Sequence, residues 1–177
     1  MNSGNNTIYC LDTSAFVDMV HEQPEDLYPG LWNCMGDLAK AGRLIMVKNA
    51  YEECKDPEAQ PWLKACSCII RPLSADVIAC VSQLQSDLTD DKQFLVDPKS
   101  TKSQADPFVI ALAMSENLKR GGSHSSGDVV LVHHESATNN RYGRVKIADI
   151  CRRYSIQSYR MVDVVRQEKW IFDLRTI

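Results

Sequence analysis

The sequence predicts an α/β protein, a doubly wound three-layer α/β/α sandwich with a mostly parallel central sheet. Short runs made only of apolar residues, which are typical of buried parallel strands, alternate with longer segments that have helical spacing. Strands separated by helices form parallel sheets with helices on both faces. A length of 177 residues suits one domain, since a domain has about 150 residues, so we expect a single domain over residues 1–177.

The first half of the chain opens with a strand, two helices, a second strand and a third helix. Each of the two strands is an unbroken apolar run. Asn49 is expected to cap the third helix, because its side chain can accept a hydrogen bond from a backbone N–H. The predicted elements are strand 8–11, helix 15–20, helix 31–39, strand 44–47 and helix 49–54.

The second half continues this alternation. Asp106 and Pro107 mark the clearest helix start, because Asp is a favoured N-cap and Pro fits the first helical position. The polar, turn-rich segment 97–104 before them is predicted to be an exposed loop. The other predicted elements are helix 62–65, strand 69–70, helix 75–88, strand 129–132, helix 146–154, strand 156–159 and helix 161–168.

The composition is typical of a folded globular protein. Hydrophobic residues make up 44% and charged residues 24% of the chain, which is too apolar for a disordered protein. No apolar run approaches the ~18 residues that a membrane-spanning helix needs, and residues 1–6 do not have the pattern of a secretion signal. Seven cysteines, scattered through apolar segments, suit a reducing compartment. We therefore expect a cytoplasmic protein with no membrane partner.

Charge is distributed unevenly, although the net charge is only −3. Residues 1–96 contain 7 Lys/Arg and 14 Asp/Glu, whereas residues 97–177 contain 13 and 9. A basic second half favours contact with a nucleic acid, and an ordinary solvated surface explains the same asymmetry. Both interpretations stay open at this point.

Carboxylates follow two of the buried strands. Asp12 comes directly after the first strand and Glu135 shortly after strand 129–132, and the carboxyl ends of parallel strands share one edge of a sheet. Asp106, and Glu52 or Glu53, are expected at the same edge. Carboxylates brought together repel each other unless a divalent cation such as Mg²⁺ or Mn²⁺ neutralises them, and such a cation can activate water for phosphodiester hydrolysis. Taken singly, each acid is also explained as a cap, a loop residue or a solvated helix residue.

Four segments resemble the PIN-domain ribonucleases in order and spacing. They are residues 8–14 (IYCLDTS), 51–54 (YEEC), 105–113 (ADPFVIALA) and 130–135 (VLVHHE). The resemblance covers most of the chain and is closest to the bacterial toxin-like branch, in a subgroup that has His-Glu after the late strand. Residues 146–151 (KIADIC) match a further segment of that subgroup.

This resemblance implies a PIN-like fold and a Mg²⁺- or Mn²⁺-dependent endoribonuclease that hydrolyses RNA. Glu53 is preferred to Glu52, because the family's Glu directly precedes an apolar residue, here Cys54. The resemblance further implies the toxin of a toxin–antitoxin pair, with an antitoxin protein and a second copy of the chain as partners. The implied catalytic and metal-binding residues are Asp12, Glu53, Asp106 and Glu135.

Two positions depart from the commonest pattern of the family. Glu135 stands where many relatives have Asp, and His133 where they have Thr or Ser. These departures favour an alternative hypothesis, a non-catalytic PIN-like module that binds partners as a scaffold. Ser14 would support the helix start, and His133, His134 and Asp149 are further candidates beside the acids. Basic residues that are candidates for phosphate contacts are Lys99, Lys102, Arg141, Arg144 and Lys146.

Overall fold

The computed structural model describes residues 6–95, 104–121, 129–134 and 143–172. In these residues the strands are β1 (Ile8–Leu11), β2 (Leu44–Val47), β3 (Ile70–Arg71), β4 (Val129–Val132) and β5 (Gln157–Tyr159). They form one sheet in the order β3-β2-β1-β4-β5, and every pair of neighbours is parallel. Helices flank the sheet, which confirms the predicted α/β class and the three-layer architecture.

The predicted helices are found with small shifts at their ends. The helices of the described residues are α1 (Thr13–Glu22), α2 (Pro29–Lys40), α3 (Lys48–Glu53), α4 (Ala59–Ala65), α5 (Ala75–Asp90), α6 (Asp106–Lys119), α7 (Ile147–Arg153) and α8 (Met161–Gln167). None of them is both long enough and apolar enough to cross a membrane.

Two predicted helix caps are wrong. Val47 precedes the first residue of α3, so Asn49 lies inside the helix instead of capping it. Ala105 occupies the cap position of α6, and Asp106 is the first helical residue. α3 therefore begins one residue before Asn49 and α6 begins at Asp106 itself, because the local preference of one side chain does not decide where a helix starts.

The order of the strands reverses at β1. β2 and β3 lie on one side of it, and β4 and β5 lie on the other. Leu11 pairs with Val132, so β1 and β4 end at the same level. In open parallel sheets the crevice for a ligand lies beyond the carboxyl ends of the two strands at such a reversal. In this protein Asp12 and His133 directly follow those two strand ends.

The opposite edge of the sheet contains a partly buried ion pair. Arg43 Nη1 lies 2.9 Å from Glu168 Oε2, and Tyr9 donates its hydroxyl hydrogen to the same carboxylate. The Glu168 side chain is only 8% exposed. These bonds attach the end of α8 to β1 and to the turn before β2.

Candidate active site

Asp12 is fixed at the carboxyl end of β1 by the start of α1. Its Oδ2 atom accepts hydrogen bonds from the backbone N–H of Ser14 at 3.1 Å and from the Ser14 hydroxyl at 2.5 Å. Its own N–H donates to the Val132 carbonyl at 2.9 Å, which continues the ladder between β1 and β4. Asp12 is only 4% exposed. A buried N-cap carboxylate of this kind has little freedom to move.

Two long-range hydrogen bonds bring α1, α3 and α6 together beside Asp12. The Thr13 hydroxyl donates to the Ala50 carbonyl at 2.9 Å, which attaches the start of α1 to α3. Glu53 is the last residue of α3, and its Oε2 atom accepts the Ala105 N–H at 2.7 Å. Asp106 is the next residue along the chain. The structure therefore gathers the segments of Asp12, Glu53 and Asp106 at one edge of the sheet.

The charge of Glu53 is unfavourable at this position. Loss of hydration around its carboxylate and, to a smaller extent, the negative charge of Asp12 raise the pKa of Glu53, while the hydrogen bond from Ala105 lowers it. The net effect is a pKa above the ordinary value. The negative charges of Asp12 and Glu53 therefore oppose each other.

Each of the two carboxylates keeps an oxygen atom that can bind a cation. Among the described residues, neither Asp12 nor Glu53 forms an ion pair with a Lys, Arg or His side chain. Each uses one oxygen in hydrogen bonds, and no described residue donates to its second oxygen. Repelling carboxylates with uncommitted oxygens fit a hard divalent cation such as Mg²⁺ or Mn²⁺.

The described residues do not complete a metal site. In residues 6–95, 104–121, 129–134 and 143–172, no group of three or more His, Cys, Asp or Glu side chains is arranged to hold a metal ion. Asp106 is half-buried at the start of α6, one residue after the Ala105 N–H that Glu53 binds. Glu135 lies outside the described residues. Asp12 and Glu53 are thus only part of a set of ligands for a metal ion.

Other sequence candidates have different contacts. Glu52 Oε1 lies 3.5 Å from Lys48 Nζ on the exposed face of α3, so Glu53 and not Glu52 contacts α6. Asp149 accepts the Lys146 N–H at 3.2 Å and caps α7. His133 is buried and donates its backbone N–H to the Tyr159 carbonyl at 3.0 Å, between β4 and β5. These contacts assign structural roles to Asp149 and to the backbone of His133.

Sequence reasoning missed a close side-chain contact at the rim of the site. His134 Nδ1 lies 2.9 Å from Asp18 Oδ2, and the His134 N–H is 3.4 Å from the Ser14 hydroxyl oxygen. Ser14 and Asp18 are four residues apart in α1 and so share one helix face. That spacing was the available signal for Asp18. His134 is already a sequence candidate, but its contact with Asp18 has no local signal, because only the sheet order brings β4 beside β1.

The structure describes two of the five basic residues that are candidates for phosphate contacts. Arg144 and Lys146 lie just before α7, and both take part in interactions with other groups. Lys99, Lys102 and Arg141 lie outside the described residues. The prediction that these side chains contact phosphates remains a prediction.

The fold and the site define a parallel α/β protein with acidic side chains gathered at the reversal point of its sheet. The chain belongs to the DUF4411 family, a domain of unknown function, whose profile matches residues 9–172. No curated protein matches the chain.

Proposed function

We propose that this protein is a Mg²⁺- or Mn²⁺-dependent endoribonuclease with a PIN-like fold. The observation that carries the proposal is the pair of carboxylates at the reversal point of the sheet, where Glu53 binds the N-terminal end of α6 and where lost hydration and, to a smaller extent, the Asp12 charge raise its pKa. Two uncompensated acids at a ligand crevice have an electrostatic cost that binding of a divalent cation removes. The order and spacing of the four sequence segments support the same family.

The residues of this chain have separate tasks in that reaction. Asp12 and Glu53 would hold the metal ion, together with Asp106 and Glu135. When bound, a divalent ion supplies an activated water and stabilises the charge that develops on a phosphodiester. Ser14 holds the Asp12 carboxylate in one orientation through two hydrogen bonds. Basic side chains of the second half of the chain would attract the RNA backbone.

Cleavage of defined RNAs with Mn²⁺ tests the proposal. Asp12→Asn keeps the cap of α1, since Asn caps about as well as Asp, but removes the charge. Glu53→Gln likewise keeps an acceptor for the Ala105 N–H. We expect each variant to lose cleavage by about 100-fold or more while RNA binding persists. Removal of the metal with EDTA should abolish cleavage by the wild type.

Glu52→Gln is the matched control for Glu53→Gln. Glu52 is the neighbouring residue on α3, and its side chain pairs with Lys48 at the exposed face. We expect this variant to cleave RNA at the wild-type rate. Equal cleavage by the wild type and by Asp12→Asn, in preparations free of contaminating nuclease, would contradict the proposal that this protein is a ribonuclease.

One observation favours a second candidate function, a non-catalytic scaffold. The described residues contain no complete group of metal ligands. A wild-type protein that binds RNA or a protein but shows no cleavage and no Mn²⁺ binding would support the scaffold. Isothermal titration with Mn²⁺ therefore separates the two candidates independently of the RNA chosen.

The proposal also covers the cellular location and the protein partners of this chain. A ribonuclease of this kind acts in the cytoplasm on RNA. As the toxin of a toxin–antitoxin pair it would be neutralised by an antitoxin protein, and it would form homodimers. Co-expression with the product of an adjoining reading frame tests the antitoxin, because a true antitoxin restores growth to cells that the protein alone arrests.

A further inference from the structure

A second feature of the molecule lies away from the candidate active site. An open groove of about 610 Å³ runs between α5 and α6, with Tyr154 at one end. Met114 is its first residue on α6, eight positions after Asp106, which corresponds to about 12 Å along a helix. The groove is therefore separate from the acids, and an occupant of the groove does not depend on ribonuclease activity.

The groove has an apolar floor and follows the helices lengthwise. On α5 its residues recur at helical spacing, namely Asp76, Cys80, Gln83 and Asp87. On α6 they are Met114, Ser115, Leu118 and Lys119. Leu118 is 57% exposed, which is high for a leucine side chain in a groove. From Asp76 to Asp87 the groove extends for eleven residues, or about 16 Å.

Ser115 has an unused hydrogen-bonding group in this groove. The residue is 1% exposed, and its Oγ atom has no hydrogen-bond partner among the described residues. A buried hydroxyl without a partner is uncommon, because leaving it unpaired costs free energy. A ligand that places a polar group on the groove floor would satisfy it.

Both ends of the groove are acidic. Asp76 at one end and Asp87 at the other have no ion-pair partner in the described part of the chain. Hydrogen bonds from Tyr154 and Gln83, together with the positive charge of Arg153, lower the pKa of Asp87, so its carboxylate is ionised at neutral pH. Lys119 also lines the groove, but its Nζ lies 2.8 Å from Glu116.

We propose that this groove docks an amphipathic helix of a partner protein, with an apolar face between two basic residues about three turns apart. The basic residues pair with Asp76 and Asp87, and the apolar face covers Leu118 and Met114. A central polar side chain reaches Ser115. Laying a helix lengthwise in a groove is a common mode of peptide recognition.

The shape of the groove favours a helix over a small molecule. Small-molecule sites enclose most of the ligand's surface. Here Leu118 stays more than half exposed, and the groove is open along three turns of α5. An elongated occupant with side chains at helical spacing covers such a surface, whereas a compact ligand leaves part of it in water.

Binding of a labelled synthetic peptide tests this proposal. The probe is an Ala-based, end-capped helix of about 16 residues with two Arg residues eleven positions apart and Leu residues between them. Fluorescence anisotropy should show saturable binding to the full-length protein. Leu118→Glu should weaken binding by about tenfold or more, because it places a charge on the apolar floor.

Ile78→Glu is the matched control. Ile78 is 52% exposed on α5, close to the 57% of Leu118, but it does not line the groove. We expect this variant to bind the peptide as the wild type does. Equal weakening by both variants, or no saturable binding to the wild type, would overturn the proposal.

Two further variants test the polar contacts. Asp76→Lys should weaken the Arg peptide and restore binding of a peptide with one Arg replaced by Glu. On the wild type, a central Gln should improve peptide binding about threefold, and Ser115→Ala should remove that gain. A gain from the central Gln that persists in Ser115→Ala would contradict the proposed contact with Ser115. If Asp76→Lys does not bind the Glu-containing peptide, the proposed basic ends of the partner helix are wrong.

Discussion

Glu53 has the clearest electrostatic cost in the candidate site. Its pKa lies above the ordinary value because the carboxylate loses hydration and faces the Asp12 charge. An acid whose pKa is higher in the folded state binds its proton more tightly there. Its ionisation therefore lowers the free energy of unfolding, and the cost develops as the pH rises from the unfolded pKa through the folded pKa.

Glu53→Gln should therefore stabilise the metal-free protein at neutral pH. Gln keeps the acceptor for the Ala105 N–H and removes the charge. Because the residue is largely exposed, solvent screens the effect, and we expect a rise in melting temperature on the order of 1 °C at pH 7. At about pH 3 the wild-type carboxyl is protonated in both states, so the difference should disappear. Circular dichroism melts at both pH values measure it.

The same melts distinguish a local charge effect from a general one. Glu52→Gln removes a charge from the exposed face of α3, where Lys48 already lies beside it. This control should not become more stable at pH 7. A lower melting temperature for Glu53→Gln at pH 7 would show that the carboxylate contributes a favourable interaction instead of a repulsion.

Among the secondary-structure elements, α8 has a partly buried polar anchor at its end. Glu168 follows the last residue of α8 and binds both Arg43 and Tyr9. Its side chain is 8% exposed and that of Arg43 is 19% exposed, so water screens the pair only weakly. The anchor joins the end of the chain to the central strand β1 and to the turn before β2.

Glu168→Ala should consequently lower the free energy of unfolding by about 2 kcal/mol, since it removes the buried carboxylate to which both Arg43 and the Tyr9 hydroxyl donate. Urea denaturation measures this loss. Asp37→Ala removes the exposed Lys40–Asp37 pair in α2, whose side chains are 80% and 78% exposed, and should cost less than about 0.5 kcal/mol. Equal losses in the two variants would mean that the buried position of Glu168 gives it no special importance.

Elements differ in how well the sequence predicts them. β1, β2 and β4 were predicted to the residue, because each is an unbroken apolar run that ends abruptly at a polar or helical segment. The caps at Asn49 and Asp106 were wrong, because tertiary packing overrides the local preference of one side chain. The hydrogen bonds from Thr13 to Ala50 and from Ala105 to Glu53 join residues that are 37 and 52 positions apart. No local sequence pattern predicts such bonds.

At the scale of the whole molecule, the strand order creates the candidate site. The sequence predicts strands that alternate with helices, but it does not state which strands are neighbours. The order β3-β2-β1-β4-β5 places β1 at the centre, so that Asp12 faces the carboxyl end of β4 on one side and α3 on the other. The assembly of the candidate site is therefore a property of the complete sheet, not of one segment.

Since the sheet contains strands from both halves of the chain, the protein should unfold as one cooperative unit. β1 pairs with β2 on one side and with β4 on the other, so neither half can keep its sheet edges covered alone. Differential scanning calorimetry should show one transition with an enthalpy of about 120 kcal/mol near 60 °C, equal to the van't Hoff value. Mn²⁺ should move this single transition to higher temperature in the wild type but not in Asp12→Asn. Two resolved transitions, or a calorimetric enthalpy well above the van't Hoff value, would contradict the single domain predicted for residues 1–177.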